Sequence, residues 1–220
     1  MPLGSPPPAS RLRQLSGRRL AGKVLYRVVR SGRLSPWWFA SRPATAPGRG
    51  GRFDLVSPEG TCYLATIPAG AALEAFQDFG RGVLPESELR ARRLARLSVP
   101  DGAPDAADLV EPKSRGAGVT EALRAGQDRA LTQSWADALR RAGWQALWYG
   151  LQHDPSGQLR GVALFDFEGE HAPYGDDAWT HTILRLDDDL AVLTALEEYG
   201  IEVIADPEPE VVALDDSGLM

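Results

Sequence analysis

Cysteine is almost absent from the chain: Cys62 is the single one among 220 residues, so no internal disulfide can form. This usage fits a reducing compartment, and we expect Cys62 to be a small core residue on a buried strand. No stretch reaches the roughly 18 apolar residues that a membrane helix needs. The basic N-terminus also lacks the apolar segment of a secretory signal. We therefore expect a cytoplasmic protein with no membrane partner.

Several motifs of common enzyme classes are missing. The three histidines, His153, His171 and His181, show no metal-ligand spacing with acidic partners, and there is no HExxH motif. No GxSxG sequence supports a serine hydrolase. The glycine-rich segment before Arg52 is neither a P-loop nor GxGxxG. We therefore predict no metal site and no bound cofactor.

Acidic residues are missing from one end of the chain and concentrated at the other. Residues 1–52 contain eleven Lys or Arg and no Asp or Glu, whereas residues 161–220 contain sixteen Asp or Glu and only Arg185 as a basic residue. A basic end can bind nucleic acid or a smaller anion. Because the arginines are scattered and the net charge is −6, we expect no nucleic-acid partner.

The chain is predicted to form one globular α+β domain with a tail at each end. Residues 1–20 contain Pro6-Pro-Pro and no hydrophobic period, so they are predicted to be a flexible N-terminal tail. Residues 21–206 form the predicted domain, and residues 207–220 an acidic C-terminal tail. Strand and helix patterns are mixed without strict alternation, which predicts a mixed β-sheet core with flanking helices.

Periodicity and turn residues place the main elements. Strands are predicted at 23–29, 61–66, 144–150, 161–167, 182–186 and 201–204. Helices are predicted after Pro68, at 127–142 and at 190–199. Residues 86–99 are interpreted as a helix fragment or turn that continues into a strand, and residues 100–118 as a loop.

Four residues in these elements stand out as candidates for a binding or catalytic site. Arg27 lies inside a strand, and Glu74 lies in an almost wholly apolar helix. Each either faces solvent or is paired with a charge or a ligand, because buried charges are otherwise rare. Arg52 follows two glycines that permit close backbone approach, and Tyr63 lies on the next strand. Together they suit an anionic ligand that develops positive charge as it reacts.

An aromatic cluster, Trp37-Trp38-Phe39, follows the first strand of the predicted domain. It either fills the core or forms the wall of a pocket for a flat ring, and core packing is the more common use of aromatic side chains.

Five short motifs resemble, in order and spacing, those of the RES domain family. They are Tyr26-Arg27, Gly50-Gly-Arg-Phe-Asp54, Thr61-Cys-Tyr-Leu-Ala65, Ala71-Ala-Leu-Glu74 and Tyr149-Gly-Leu-Gln-His-Asp-Pro155. The resemblance runs from about residue 23 to about residue 205 and covers most of the chain. It implies an ADP-ribosyltransferase-like fold and the toxin of a RES–Xre toxin–antitoxin pair, which degrades NAD⁺.

The resemblance also assigns roles to the four candidate residues. It implies that Arg27, Arg52 and Tyr63 bind NAD⁺ and that Glu74, with Arg52, acts in catalysis. These roles agree with chemistry, since arginine forks suit a pyrophosphate. A carboxylate stabilises the oxocarbenium-like ribose that forms when the nicotinamide–ribose bond breaks.

The chain departs from the family at its third name-giving residue, a serine. Leu151 occupies that position and Gln152 follows it. Leucine cannot donate a hydrogen bond, and losing one donor to a polar ligand costs about 1–3 kcal/mol. We expect activity to be weakened tenfold or more by this change.

The resemblance leaves three functions to weigh. The first is NAD⁺ degradation, as a glycohydrolase using water or as a phosphorylase using phosphate. The second is a weakened module that binds a nucleotide or a protein, and the third is transfer of ADP-ribose. An Xre-type antitoxin is the implied protein partner, and the sequence leaves open whether the chain forms a homodimer.

Overall fold

The computed structural model describes residues 2–33, 35–76, 82–152, 154 and 156–206. Within these residues lie twelve strands: β1 (Gly17–Arg18), β2 (Val24–Arg30), β3 (Ser41–Arg42), β4 (Leu55–Val56), β5 (Glu59–Ala65), β6 (Val83–Pro85), β7 (Arg92–Ser98), β8 (Ala106–Asp108), β9 (Ala146–Gly150), β10 (Arg160–Phe167), β11 (Thr180–Arg185) and β12 (Glu202–Ile204).

Eight of the strands form one sheet in the order β1-β8-β9-β10-β5-β2-β7-β11. Neighbours in this sheet are antiparallel, except β8 and β9, which are parallel. Two short parallel pairs, β3 with β4 and β6 with β12, lie outside it. The mixed sheet with its helices confirms the predicted α+β fold.

The helices of the described chain are α1 (Ala9–Leu12), α2 (Pro68–Phe76), α3 (Glu86–Arg90), α4 (Glu121–Ala125), α5 (Arg129–Arg141) and α6 (Leu190–Glu198). The Asp128 side chain caps α5 by accepting a 2.9 Å hydrogen bond from the Leu131 amide. The positive charges of Arg140 and Arg141 in the last turn interact favourably with the negative end of the helix dipole. Gly143, with a φ of 102°, follows the helix and lets the chain reverse.

The sheet separates the core into layers because successive strand residues point to opposite faces. On β10, Ala163 and Phe165 pack with Trp135 of α5, whereas Val162 and Leu164 face a second cluster that contains Trp37 and Phe39. A third cluster lies beneath α2 and α6. Trp37 and Phe39 are 4% and 1% exposed, which agrees with core packing, whereas Trp38 is 39% exposed.

The sheet is almost interrupted between β2 and β5. These strands pair at one position only, Tyr26 opposite Ala65. On their other sides both strands are paired along their length, β2 with β7 and β5 with β10. The two strands therefore diverge, so that the residues after Tyr26 on β2 are not paired with the residues before Ala65 on β5. The interior of the sheet opens into a cleft at this place.

The prediction of a flexible tail at residues 1–20 is wrong for the part that the structure describes. Leu12 and Leu20 are fully buried, and β1 pairs with β8. Two indole N–H groups hold the segment, since Trp135 donates to the Gly4 carbonyl at 2.8 Å and Trp144 donates to the Leu12 carbonyl at 3.0 Å. A short helix and a two-residue strand leave no hydrophobic period to detect. The predicted tail at 207–220 lies outside the described residues.

The predicted strands and helices are present with shifts of one or two residues at their ends. The predicted loop at 100–118 contains β8 and a 3-10 helix at Pro112–Ala117. β8 has three residues, of which Ala106 and Ala107 are fully buried, and alanine carries little strand propensity. No helix of the described residues is both long and apolar enough to span a bilayer.

Candidate functional site

A cavity of about 220 Å³ lies where β2 and β5 move apart. Arg27, Arg52, Tyr63 and Glu74, the four residues predicted from the sequence, all line it. They come from β2, the loop before β4, β5 and α2. The structure thus gathers all four side chains in one cleft, and their roles in binding and catalysis remain predictions.

The loop that carries Arg52 is fixed by a carboxylate and a phenol. Asp54 accepts hydrogen bonds from the Gly51 amide at 2.6 Å and from the Tyr63 hydroxyl at 2.7 Å. The same hydroxyl accepts a bond of 2.8 Å from the Phe53 amide. A Cβ at residue 51 would lie 2.5 Å from that hydroxyl oxygen, which explains the glycine there. Tyr63 therefore lines the cavity with its ring, while its hydroxyl positions the loop.

Arg52 is only 7% exposed, which is unusual for a guanidinium. Its Nη1 donates to the Gly126 carbonyl at 2.7 Å, and its Nη2 donates to the Gln152 side-chain oxygen. Burial lowers the pKa of Arg52, and nearby Arg129 lowers it further. The Nε has no hydrogen-bond partner among the described residues, so it stays available to a ligand in the cavity.

Arg27 is half-buried on an interior strand and does not project from a sheet edge. Its Nη1 lies 2.9 Å from the Pro36 carbonyl, 3.2 Å from the Trp38 carbonyl and 2.9 Å from the Cys62 sulfur. Its Nε and Nη2 have no hydrogen-bond partner in the described part of the chain. Arg27 is thus anchored through one nitrogen, and its other donors are free for an anion.

Glu74 lies on the face of α2 that closes the cavity. Its carboxylate has no hydrogen-bond or ion-pair partner among the described residues, although Arg52 and Arg129 are close enough to act on it electrostatically. Burial raises the pKa of Glu74 to about 7, against the opposing effect of the two arginines. The site therefore holds a carboxylate that is available for a cationic group.

Arg129 is a site residue that the sequence analysis missed. It is the first residue of α5, it lines the cavity, and its guanidinium has no hydrogen-bonded partner within the described residues. A signal was present, because a cation in the first turn of a helix opposes the helix dipole and is disfavoured unless an anion is near. Arg129 brings a third arginine to the cleft.

Tyr149 and Gln152, both within the last motif, also line the cavity. The Tyr149 ring meets Phe53 edge-on with centroids 5.0 Å apart. Burial and the Glu74 charge raise the pKa of Tyr149 well above its usual range, so its hydroxyl remains a hydrogen-bond donor.

Leu151, at the family's serine position, packs in the core. It is 1% exposed, and its methyl groups fill the space beside Gly70 and Gly161, where an added Cβ would lie 3.0 Å and 2.8 Å from them. Leu151 is not part of the cavity wall, in contrast to its neighbour Gln152.

The histidines contribute no metal site in the described chain, where no cluster of His, Cys, Asp or Glu has the geometry to hold an ion. His171 stacks on Phe39 at 4.7 Å, and His181 lies edge-on to Trp37. His153 lies outside the described residues.

The structure is thus that of an α+β protein with a cleft between β2 and β5, lined by three arginines and by Glu74, whose carboxylate has no partner among the described residues. The family model described as the RES domain matches residues 24–187. Because this match covers most of the chain, the protein belongs to the RES domain family.

One solved structure with a similar fold is the crystal structure of the M. tuberculosis MbcT–MbcA toxin–antitoxin complex. The alignment has a TM-score of 0.57 and 19% identity, and it covers 88% of this chain and 97% of that chain. At this identity the similarity shows the fold. No curated protein matches the chain.

Proposed function

We propose that this protein is a toxin-type enzyme that degrades NAD⁺ by cleaving the nicotinamide–ribose bond. The observation that carries the proposal is the carboxylate of Glu74, which lies in a cleft with three arginines and has no hydrogen-bond or ion-pair partner in the described part of the chain. NAD⁺ offers the complementary charges, since it has an anionic pyrophosphate and a cationic nicotinamide ring.

The arginines supply the donors for the pyrophosphate. Among the described residues, two guanidinium nitrogens of Arg27, one of Arg52 and all three of Arg129 have no hydrogen-bond partner. Charge-assisted hydrogen bonds of this kind are about twice as strong as neutral ones. Because Arg27 and Arg52 are held by carbonyl groups, little side-chain entropy is lost when the anion binds.

Glu74 is the group proposed to act on the reacting ribose. As the glycosidic bond breaks, its electron pair goes to the pyridinium nitrogen, neutral nicotinamide leaves, and positive charge develops at the ribose C1 and ring oxygen. The ionised form of Glu74 stabilises this charge electrostatically. A water or phosphate oxygen then forms the new bond to C1, and attack by water also releases a proton.

The direct test is incubation of the purified protein with NAD⁺, with and without phosphate, followed by chromatography of nicotinamide and mass spectrometry of the other product. We expect nicotinamide with either ADP-ribose or its 1″-phosphate. Glu74→Gln should lose at least a hundredfold in rate, roughly the contribution of one electrostatic group. Glu197→Gln, on the exposed side of α6, is the matched control. Absence of nicotinamide, or an undiminished Glu74→Gln, would overturn the proposal.

A second candidate is a module that binds the nucleotide without cleaving it. The contact that favours it is the Gln152 side chain on Arg52, which occupies a donor that a substrate would otherwise use. Calorimetric binding of ADP-ribose together with absence of nicotinamide release would support this function. Turnover of NAD⁺ would exclude it.

We also propose a protein partner and a location. Membership of the RES family, together with the similarity to a chain of a toxin–antitoxin complex, supports an Xre-type antitoxin that covers the cleft in the cytoplasm. Co-expression of the protein with the product of a neighbouring helix-turn-helix gene should suppress NAD⁺ loss in cells. Undiminished NAD⁺ loss despite a stable complex would contradict this partner role.

A further inference from the structure

A second cavity of about 260 Å³ adjoins the first. Both cavities are lined by Phe53, Tyr149 and Gly150, so the two spaces adjoin at these three residues. The first cavity, at about 220 Å³, is smaller than the roughly 300–1,000 Å³ usual for a ligand of drug size. A dinucleotide that reacts at Glu74 therefore needs room beyond the first cavity.

The lining of the second cavity combines apolar and charged groups. Leu109, Val119 and Leu123 provide an apolar surface suited to a flat ring. The carboxylate of Glu111 and the guanidinium of Arg115 also line it, and neither has a side-chain partner among the described residues. A carboxylate suits the hydroxyl groups of a ribose, and a guanidinium suits a phosphate.

The segment from α4 to the start of α5 contributes residues to both cavities. Arg52 donates to the carbonyl of Gly126, the residue that ends α4. Residues along α4, namely Glu121, Leu123 and Arg124, line the second cavity, and Arg129, which follows shortly after Gly126, lines the first. A pyrophosphate held by Arg52 and Arg129 would thus lie near the boundary, with one half of the molecule on each side.

We propose that the second cavity binds the adenosine monophosphate half of the dinucleotide, while the first holds the nicotinamide riboside half beside Glu74. This inference rests on the proposed NAD⁺ cleavage and specifies how the substrate is divided. Glu111 accepts hydrogen bonds from the adenosine ribose, and the apolar residues contact the purine.

The test compares NAD⁺ with nicotinamide mononucleotide, which lacks the adenosine half. Val110 is exposed at the edge of the second cavity, so Val110→Trp should fill the cavity without disturbing the core. Ile183→Trp, at a similarly exposed residue on β11, is the matched control. We expect Val110→Trp to raise KM for NAD⁺ about tenfold and to leave KM for the mononucleotide unchanged, a loss typical of one well-placed contact group. Equal effects on both substrates, or none, would overturn the inference.

A binding measurement separates this inference from the proposed function. In calorimetry, AMP should bind to the unmodified protein and to Ile183→Trp. Val110→Trp should not bind AMP, and the affinity of Glu111→Gln for AMP should be several-fold weaker. If AMP binds in this pattern but NAD⁺ is not cleaved, the proposed function fails and the adenosine site stands. If NAD⁺ is cleaved but AMP binding is unaffected by both variants, the adenosine site is wrong and the function stands.

Discussion

The raised pKa of Glu74 has a consequence for stability that a single substitution measures. Burial raises its pKa from 4.5 to about 7. Between these values the folded protein binds more protons than the unfolded chain, so stability falls as pH rises from about 4.5 to about 7 and does not recover above it. The interval corresponds to about 3 kcal/mol when each pKa unit is worth about 1.4 kcal/mol. Glu74→Gln removes the ionisable group and therefore this loss.

The variant should be the more stable protein at alkaline pH. At pH 5.5 the unmodified protein has already lost the stability that falls away between pH 4.5 and pH 5.5. The free energy of unfolding of Glu74→Gln, relative to the unmodified protein, should therefore grow by about 2 kcal/mol between pH 5.5 and pH 8.5. Urea denaturation at both pH values measures the free energy of unfolding. Glu197→Gln, at an exposed position of α6, is the control measured in parallel. A stability difference that is the same at both pH values would refute the raised pKa of Glu74.

Three further substitutions probe the rest of the site. Tyr63→Phe should lower the free energy of unfolding by about 1–3 kcal/mol, because Asp54 and the Phe53 amide lose a shared partner; an unchanged urea midpoint would contradict that role. Leu151→Ser should cost about 2–5 kcal/mol in the same assay without raising nicotinamide release, since the side chain fills the core; a gain in rate would show that residue 151 reaches the substrate. Arg129→Gln should move the midpoint of the kcat/KM pH profile above that of the unmodified protein, because Arg129 lowers the pKa of Glu74, the carboxyl proposed to act in catalysis; an unmoved midpoint would contradict this electrostatic effect of Arg129 on the reaction.

The local elements of this fold could be predicted from the sequence. The amphipathic period and its terminal glycine place α5, and β-branched and aromatic runs place β2 and β10, because these signals lie within each segment. The packed N-terminal segment escaped prediction for the opposite reason. Leu12 and Leu20 are buried by contacts with distant parts of the chain, and a tryptophan such as Trp135 holds the segment from over a hundred positions away.

The cleft depends on tertiary structure in the same way. Arg27 and Glu74 were found because a charge is unusual in their apolar segments, and Arg52 and Tyr63 were found from the glycines before Arg52, the strand that carries Tyr63 and the family motifs. That they meet follows from the loss of pairing between β2 and β5 after Tyr26, which no local pattern encodes. The position of Leu151 could also not be predicted from the sequence, since its burial and its contacts with Gly70 and Gly161 come from distant parts of the chain.

The central claim is that Glu74 acts on NAD⁺ in the cleft between β2 and β5. The most direct measurement is the rate of nicotinamide release from NAD⁺ by the unmodified protein and by Glu74→Gln, with far-UV circular dichroism as the check that both are folded. The account predicts release by the unmodified protein and a loss of at least about a hundredfold in the folded variant. Equal rates for the two folded proteins, or no release by the unmodified protein, would contradict it.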